Sequence, residues 1–189
     1  MTSRHNPRRD ERGFTLIEML MGLMLVGILS SMVVLQIGAS RPGMIGDGGM
    51  RLIMAQLNFA RATAIAQRRQ IELTFTGNDT VTLTRHNIPN GTTVLQSVPF
   101  ESGLQFGLVA GKPDTPDAFG NTSATYFQGA ATVLFGTDGA MIDAAGAPLN
   151  GSIFLLFPGE PQSWRAVTVL GATGRVRAYR WTGVKWNRV

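Results

Sequence analysis

A single carboxylate, Glu18, lies inside a long apolar stretch near the start of this 189-residue chain. It is the only charged residue between Phe14 and Ser40, and it comes about one helical turn after the stretch begins. An ionised glutamate in the middle of a membrane helix costs about 2.5–3.5 kcal/mol on insertion scales. A chain that keeps such a group needs something to offset this cost, which is usually a partner charge. The position of Glu18 therefore predicts an ion pair inside the membrane.

The elements that must position Glu18 are a basic leader and an apolar helix. Residues 19–37 carry no charge, and at about 1.5 Å per residue they are long enough to cross a hydrocarbon core of roughly 30 Å. The segment before them is polar and basic, which predicts a cytoplasmic N-terminus. No A-x-A-like cleavage site of a secretory signal peptide follows Ser40. The small residue Gly13 instead precedes the apolar run. The arginines of the leader are Arg4, Arg8, Arg9 and Arg12.

The run Gly13-Phe14-Thr15-Leu16-Ile17-Glu18 resembles the processing site of the type IV pilin and type II secretion pseudopilin superfamily. The resemblance implies that a prepilin peptidase cleaves after Gly13 and methylates the new N-terminal Phe14. It also implies that Glu18 acts in assembly with other pilin or pseudopilin subunits through the N-terminal helix. The chain departs from many major pilins in one respect, because no proline interrupts the apolar run and the first proline after Gly13 is Pro42.

The predicted organisation has four parts: a cytoplasmic leader at 1–13, a transmembrane helix at 14–40, a helix continuation at 41–69 and a periplasmic β domain at 70–189. About 150 residues remain outside the leader and the span, which is enough for one small domain. The chain contains no cysteine, so it has no disulfide and the domain must be stable through packing alone. These features place the protein in the bacterial inner membrane as a single-pass protein with its C-terminal domain in the periplasm.

The helix is expected to end or bend at Arg41-Pro42-Gly43, because proline disfavours helix in the residue before it. The glycines at 46–49 are expected to continue this break. Apolar residues then recur at helical spacing to about Arg69, which predicts that the helix resumes and packs on the domain.

After Arg69 the apolar period changes to two, which is typical of strands. The predicted fold is α+β, with the long N-terminal helix packed on a mostly antiparallel β domain of about eight strands, in one sheet or two packed sheets. Residues 110–124 are predicted to form a loop because they are rich in glycine, proline and aspartate. The predicted strands are 71–75, 81–83, 94–98, 104–109, 132–135, 152–157, 164–170 and 175–181.

Catalytic and metal-binding residue sets find little support in the sequence. His86 is the one histidine after the leader, and a lone histidine beside Arg85 at a hairpin end is typical of a surface residue. Two groups of oxygen-bearing side chains leave a calcium site as an alternative. They lack the spacing of an EF-hand, and aspartate in turns usually binds its own backbone. We therefore predict a non-enzymatic protein without a cofactor. The carboxylate and amide groups in question are Asp114, Asp117 and Asn121 in one loop, and Asp138 with Asp143.

The positive charge of the chain after the leader is concentrated at its C-terminus. Residues 171–189 carry five positive charges and no acid, whereas residues 14–170 carry a net charge of −2. Arginines and aromatic rings that alternate along one strand face are typical of a nucleic-acid surface, and this pattern predicts a DNA contact. The alternative is a solvated edge strand whose arginines discourage edge-to-edge pairing. The residues of this face are Arg175, Arg177, Tyr179 and Trp181, extended by Lys185 and Arg188.

Three functions remain in order of preference. The first is a minor pseudopilin of a type II secretion filament. The chain length, the lone charge and the C-terminus resemble those of the GspH/FimT group of minor subunits. The second is a FimT-like type IV minor pilin that binds DNA for uptake, because Gly174-Arg175-Val176-Arg177 resembles the GRxR element of that group. The third, a membrane-anchored periplasmic enzyme, is disfavoured by the missing catalytic residues.

Overall fold

The computed structural model describes residues 13–189 and, for residues 34–39, the backbone alone. The predicted leader, with its arginines, therefore lies outside the described residues except for Gly13. The described chain divides after Ser40 into an N-terminal unit and a domain, Arg41–Val189.

Helix α1, Leu16–Gln67, contributes to both units. In the N-terminal unit its segment Leu16–Val33 has a mean hydropathy of 2.1 and no buried residue. By length and composition it is the one helix among the described residues that could cross a membrane. Met19 to Val33 follow Glu18 without a further charge, as expected of a membrane span.

The helix does not end at residues 41–49, because α1 continues through Pro42 and the glycines that follow it, as the predicted helix continuation at 41–69 required. These glycines serve close packing instead of a turn. A Cβ on Gly46 would overlap the backbone of Ser163, and a Cβ on Gly49 would overlap the side chain of Leu104. A glycine costs a helix about 1 kcal/mol relative to alanine. At these two positions the domain accepts this cost because only glycine lets α1 approach its neighbours so closely.

The strands form two antiparallel sheets, which agrees with the prediction of two sheets rather than one. The first sheet has five strands in the order β3-β2-β1-β6-β7. The second has six: five in the order β11-β10-β9-β8-β4, and β5, which also pairs with β8. The strands are β1 Ile71–Thr76, β2 Thr80–His86, β3 Thr92–Pro99, β4 Gln105–Phe106, β5 Thr125–Tyr126, β6 Val133–Phe135, β7 Met141–Ile142, β8 Gly151–Phe157, β9 Glu160–Leu170, β10 Arg175–Trp181 and β11 Trp186–Arg188.

The α+β class and the mostly antiparallel pairing are confirmed, but the count of about eight strands is too low. Residues 13–189 contain eleven strands, and the three that the sequence did not indicate (β5, β7 and β11) are two or three residues long. Such short pieces contain too few residues to display a period of two. The strand expected at 104–109 is likewise reduced to the two residues of β4. Residues 110–124 contain no strand or helix, as predicted.

The main core lies between α1 and the strands. Its helical side is built from residues three and four apart, which is the spacing that places side chains on one face of a helix. All of these residues have less than one-tenth of their surface exposed: Met50, Ile53, Leu57, Ala60 and Ala64. A second, smaller cluster contains Phe154, Ala166, Tyr179, Trp181 and Trp186.

One ionic network joins α1 to two strands of the second sheet. Arg165 on β9 is 1% exposed, and its Nε donates a hydrogen bond of 2.6 Å to Asp47 Oδ1. Arg180 on β10 donates from Nη2 to Asp47 Oδ2 at 2.7 Å. Arg165 also donates to the carbonyl oxygen of Gly43 at 3.0 Å. The residues expected to break the helix therefore hold it against the sheet.

Candidate functional sites at the N-terminus and on strand β10

Glu18 and Thr15 close the N-terminus of α1 with reciprocal hydrogen bonds. The N–H and the hydroxyl of Thr15 donate to Glu18 Oε2 at 2.8 and 2.9 Å, and the N–H of Glu18 donates to Thr15 Oγ1 at 3.3 Å. This is the capping box, in which a threonine before the first helical residue and a glutamate three positions later satisfy free N–H groups. The sequence carries this signal in Thr15-Leu16-Ile17-Glu18, where a threonine precedes a glutamate by three positions, and the charge of Glu18 alone does not indicate it.

The two residues of the predicted cleavage site precede this cap. Gly13 and Phe14 are outside the helix and exposed, and Phe14 has 83% of its surface accessible. A Cβ built on Gly13 would meet no atom of the described residues within 4 Å, apart from its neighbours in the sequence. No part of residues 15–189 therefore blocks the approach of a protease to the peptide bond between Gly13 and Phe14. The structure brings Phe14 and Glu18 to the same end of α1.

Strand β10 holds four of the six residues predicted to bind DNA, and it is a free edge over only part of its length. It pairs with β9 from Arg175 to Arg180 on one side, whereas on the other side β11 pairs only with Tyr179–Trp181. The predicted alternative of a solvated edge therefore fits only the first part of β10, where Arg175 is exposed. The predicted alternation is present: Ala178 and Val176 join the main core, whereas Tyr179 and Trp181 belong to the second cluster.

The loop of residues 110–124 contacts three of the six residues of the predicted face, Arg177, Tyr179 and Trp181. Asp117 of this loop forms an ion pair with Arg177 and accepts hydrogen bonds from the hydroxyls of Tyr179, at 2.8 Å, and Thr168, at 2.6 Å. Tyr179 is only 2% exposed. Arg177 and Tyr179 are therefore already engaged within the domain, because a single carboxylate of the loop binds both.

The same loop covers Trp181, which is 6% exposed. The ring of Trp181 packs against Trp186 with 5.2 Å between centroids, and Lys112 Nζ lies 5.2 Å from the Trp181 ring centre. Trp186 Nε1 donates to the carbonyl oxygen of Pro113 at 2.9 Å. Trp181 is therefore not available for base stacking. The remaining predicted residues, Arg175, Lys185 and Arg188, are exposed.

The Asp117 carboxyl is negatively charged at neutral pH. Burial by itself would raise the pKa of the Asp117 carboxyl, but hydrogen bonds from Thr168, Tyr179 and Arg177 outweigh it and hold this pKa below its ordinary value. Burial and the neighbouring Asp117 charge raise the pKa of the Tyr179 hydroxyl. The hydroxyl therefore stays protonated and continues to donate to the carboxylate.

We expect Asp117→Asn to lower the free energy of unfolding at pH 7 by about 1–3 kcal/mol, because a charged acceptor is replaced by a neutral one. A carboxylate whose pKa is lower in the folded than in the unfolded protein stabilises the fold at pH values above its unfolded pKa, which is about 3.9. This contribution is lost as the pH falls through the folded-state pKa. The difference between the two proteins should therefore be full at neutral pH and shrink below about pH 4. Urea unfolding followed by tryptophan fluorescence across this range measures it. A difference independent of pH would contradict the role of the charge.

The other carboxylates considered for calcium bind their own loops. Asp114 accepts from the N–H groups of Thr115 and Gly120, and Asp143 accepts from those of Ala145 and Ala147. Asp138 accepts from the N–H of Ala140, and the Asn121 amide donates to the Lys112 carbonyl. Within residues 13–189, no three His, Cys, Asp or Glu side chains are grouped so that they could hold a metal ion.

Comparisons with known proteins give a family pattern and several structural relatives. The pattern described as the prokaryotic N-terminal methylation motif matches residues 8–34. No curated protein sequence matches the chain. The minor pseudopilin EpsH from the type 2 secretion system of Vibrio cholerae is similar in structure, with a TM-score of 0.47 and 15% identity, over 71% of this chain and 96% of that one. The type IV minor pilin FimU of Pseudomonas aeruginosa gives a TM-score of 0.48 and 13% identity, over 75% and 91%.

The matched motif includes the three residues singled out by the sequence, Gly13, Phe14 and Glu18. It also extends through most of the apolar segment Leu16–Val33. The chain thus carries the N-terminal methylation motif of prokaryotic pilins, placed at the start of a long helix that continues into an α+β domain.

Proposed function

We propose that this chain is a non-enzymatic filament subunit, a minor pseudopilin of a type II secretion system, built into its filament from the inner membrane after cleavage by a prepilin peptidase. The methylation motif at residues 8–34 carries this proposal, because processing at such a motif has no use in a protein that is only anchored. The exposed apolar segment that follows it supplies the membrane anchor before assembly and a packing surface afterwards.

The exposed side of α1 within the domain supports the same role. Its exposed surface is mostly apolar or small, and four polar residues also lie on it: Arg41, Arg51, Asn58 and Gln67. Small residues let neighbouring helices approach closely, and larger apolar ones supply contact area. Such a surface is suited to the helix of an adjacent subunit. The residues that form it are Met44, Gly48, Ala55, Phe59, Ala62, Ile65 and Ala66.

Cleavage is tested by the mass of the protein extracted from membranes. We expect a chain that begins at Phe14 and carries one additional methyl group. Gly13→Leu should leave the leader attached, because a side chain at this position obstructs the approach of the protease to the backbone. Gly22→Leu is the matched control, since it adds the same side chain at another glycine with no neighbour within 4 Å. An intact Met1 in the unaltered protein, or a cut near Ser40, would rule out this processing.

The second candidate is a FimT-like type IV minor pilin that binds DNA. Three exposed cations on or beside β10 favour it: Arg175, Lys185 and Arg188. Because the aromatic rings of this face are covered, such binding would depend on phosphate contacts, and its affinity should fall with salt at a log–log slope of about −0.9 per phosphate. Titration of the processed chain with duplex DNA at low and physiological salt tests it. Binding that is lost in Arg175→Ala with Arg188→Ala would favour the pilus role over secretion.

A further inference from the structure

The end of α1 and the end of β2 together form a basic depression on the domain surface. It is open, has a volume of about 510 Å³, and is lined by Gln67, Arg69, Arg85, Asn87 and Ile88. Arg69 lies two residues after the end of α1, and Arg85 lies near the end of β2. Neither arginine belongs to the methylation motif or to the basic face of β10.

The guanidinium group of Arg85 is held in place by neutral oxygen atoms. Its Nε donates to Asn87 Oδ1 at 3.1 Å, and its Nη1 donates to Gln67 Oε1 at 3.0 Å. The amide of Asn87 is fixed in turn, because its Nδ2 donates to Thr93 Oγ1 at 2.9 Å. Two of the five N–H groups of Arg85 are used in this way, which leaves the remaining three for a ligand. The ion-binding group is therefore oriented before any ligand arrives.

The charge of this depression is uncompensated. The ion pairs of the described residues involve His86, Arg165, Arg177 and Arg180, so no carboxylate in residues 13–189 lies within 4 Å of the charged groups of Arg69 or Arg85. Glu72, on the neighbouring strand β1, binds His86 at 2.8 Å. The partial negative charge at the C-terminus of a helix accounts for a cation at Arg69. It does not account for the neutral amides that orient Arg85, which comes from a strand.

We propose that this depression binds the carboxylates of an acidic segment of a partner protein. The planar guanidinium fork matches a carboxylate in a bidentate arrangement, and charge-assisted hydrogen bonds of this kind are about twice as strong as neutral ones. Ile88 on the rim is 69% exposed, so it offers an apolar contact beside the two cations. Arginines next to an exposed apolar side chain are typical of the residues that dominate protein–protein binding.

A protein segment suits this site better than a nucleic acid does. The residues that line the depression include no aromatic ring on which a base could stack. They also include no lysine, and the two arginines are arranged as oriented hydrogen-bond donors rather than as a long track of charge. The partner is therefore a chain that presents glutamate or aspartate together with aliphatic side chains.

The test uses the full chain in an uncharged detergent and a fluorescent peptide of alternating glutamate and leucine. Anisotropy should show binding of this peptide, and the same peptide with glutamine in place of glutamate should bind at least about tenfold more weakly, as expected for the loss of charge-assisted hydrogen bonds. Arg85→Gln should weaken binding by a similar factor. Asn87→Ala should weaken it less, because it removes the orientation of Arg85 and keeps the charge.

Two variants make the result specific. Arg51→Gln removes the same charge from an exposed position on α1 and should leave peptide binding unchanged. Arg85→Lys keeps the charge without the planar fork and should bind at an intermediate level, which also covers the case in which Arg85→Gln fails to fold. Equal loss in Arg51→Gln, equal binding of the two peptides, or no binding at low salt would overturn the proposal. Displacement of the peptide by duplex DNA or by millimolar inorganic phosphate would assign the site to a phosphate ligand instead.

Discussion

Replacement of Asp47 by alanine is expected to lower the free energy of unfolding of the domain by about 3–5 kcal/mol, because it leaves a buried cation without its counter-charge. Arg165 is 1% exposed and has Asp47 as its only carboxylate partner among the described residues. Its remaining hydrogen bonds go to the carbonyl oxygens of Gln162, Trp164 and Gly43, which satisfy donors but do not neutralise the charge. A loss of this size is a large part of the stability of a typical small domain.

The matched control is Arg180→Ala, which removes the other ion pair of the same carboxylate. The side chain of Arg180 is 48% exposed, and exposed pairs contribute about 1 kcal/mol or less. Urea unfolding of both variants can be followed by the fluorescence of the three tryptophans, all of which belong to the domain. Similar losses in the two variants would show that Arg165 does not depend on Asp47. A free energy of unfolding of Asp47→Ala within about 1 kcal/mol of that of the unaltered chain would show the same.

The charge of Asp47 also predicts how stability depends on pH. Burial by itself would raise the pKa of the Asp47 carboxyl, but the hydrogen bonds and charges of Arg165 and Arg180 outweigh it and keep this pKa below the ordinary value. The stability that Asp47 provides is therefore complete above the unfolded pKa of about 3.9 and is lost as the pH falls through the folded value. The difference between Asp47→Ala and the unaltered chain should shrink in that acid range.

Glu18→Ala is expected to be cleaved and inserted normally and yet to be almost absent from filaments. If the chain is cleaved after Gly13 as we propose, Phe14 gains a positive α-amino group, and at membrane depth this charge requires a negative partner. We propose that Glu18 of the adjacent subunit supplies it. In the structure the cap of α1 uses only Glu18 Oε2, and Oε1 forms no hydrogen bond within the described residues. One oxygen is therefore free to meet a second group.

Glu18→Gln separates the charge from the cap, because a glutamine can still accept the hydrogen bonds of Thr15. If pairing with the Phe14 amino group is what matters, Glu18→Gln and Glu18→Ala should both be missing from filaments sheared from cells, while immunoblots of the membrane fraction show the processed form of each. Assembly of Glu18→Gln at the level of the unaltered protein would assign Glu18 to capping alone. Normal assembly of Glu18→Ala would refute both roles.

The sequence predicted those parts of the fold that have a strong local period. The pairing of β1 with β2 could be predicted because six consecutive residues alternate on each side of a Gly-Asn-Asp turn, and the register Ile71 to Arg85 follows from it. The continuation of α1 through Pro42 could not be predicted, because it depends on contacts with Ser163 and Arg165, more than a hundred residues away. Local propensity favours a break there, and tertiary packing outweighs it.

The candidate sites divide in the same way. The methylation motif that contains Gly13, Phe14 and Glu18 could be predicted, because it depends on spacing within one short segment. The exposure of Arg177 and Tyr179 could not be, because strand alternation assigns residues to a face without saying what covers that face. Here the loop of residues 110–124 covers it, and Asp117 binds both side chains. A turn-forming aspartate in a loop carries no signal in the sequence for so distant a partner.

The network around Asp47 also bears on how the protein carries mechanical load. A tension transmitted along α1 from its apolar end arrives in the domain at the turn that holds Gly43 and Asp47, before it reaches the main core. Asp47 contacts Arg165 and Arg180 on two adjacent strands, so the force is divided between β9 and β10 instead of pulling on one of them. Those strands are joined by the backbone ladder from Arg175 to Arg180, which must yield as a unit before they separate. If α1 is pulled, the paired strands β9 and β10 would thus bear the force together. The domain would not unfold progressively from its helix.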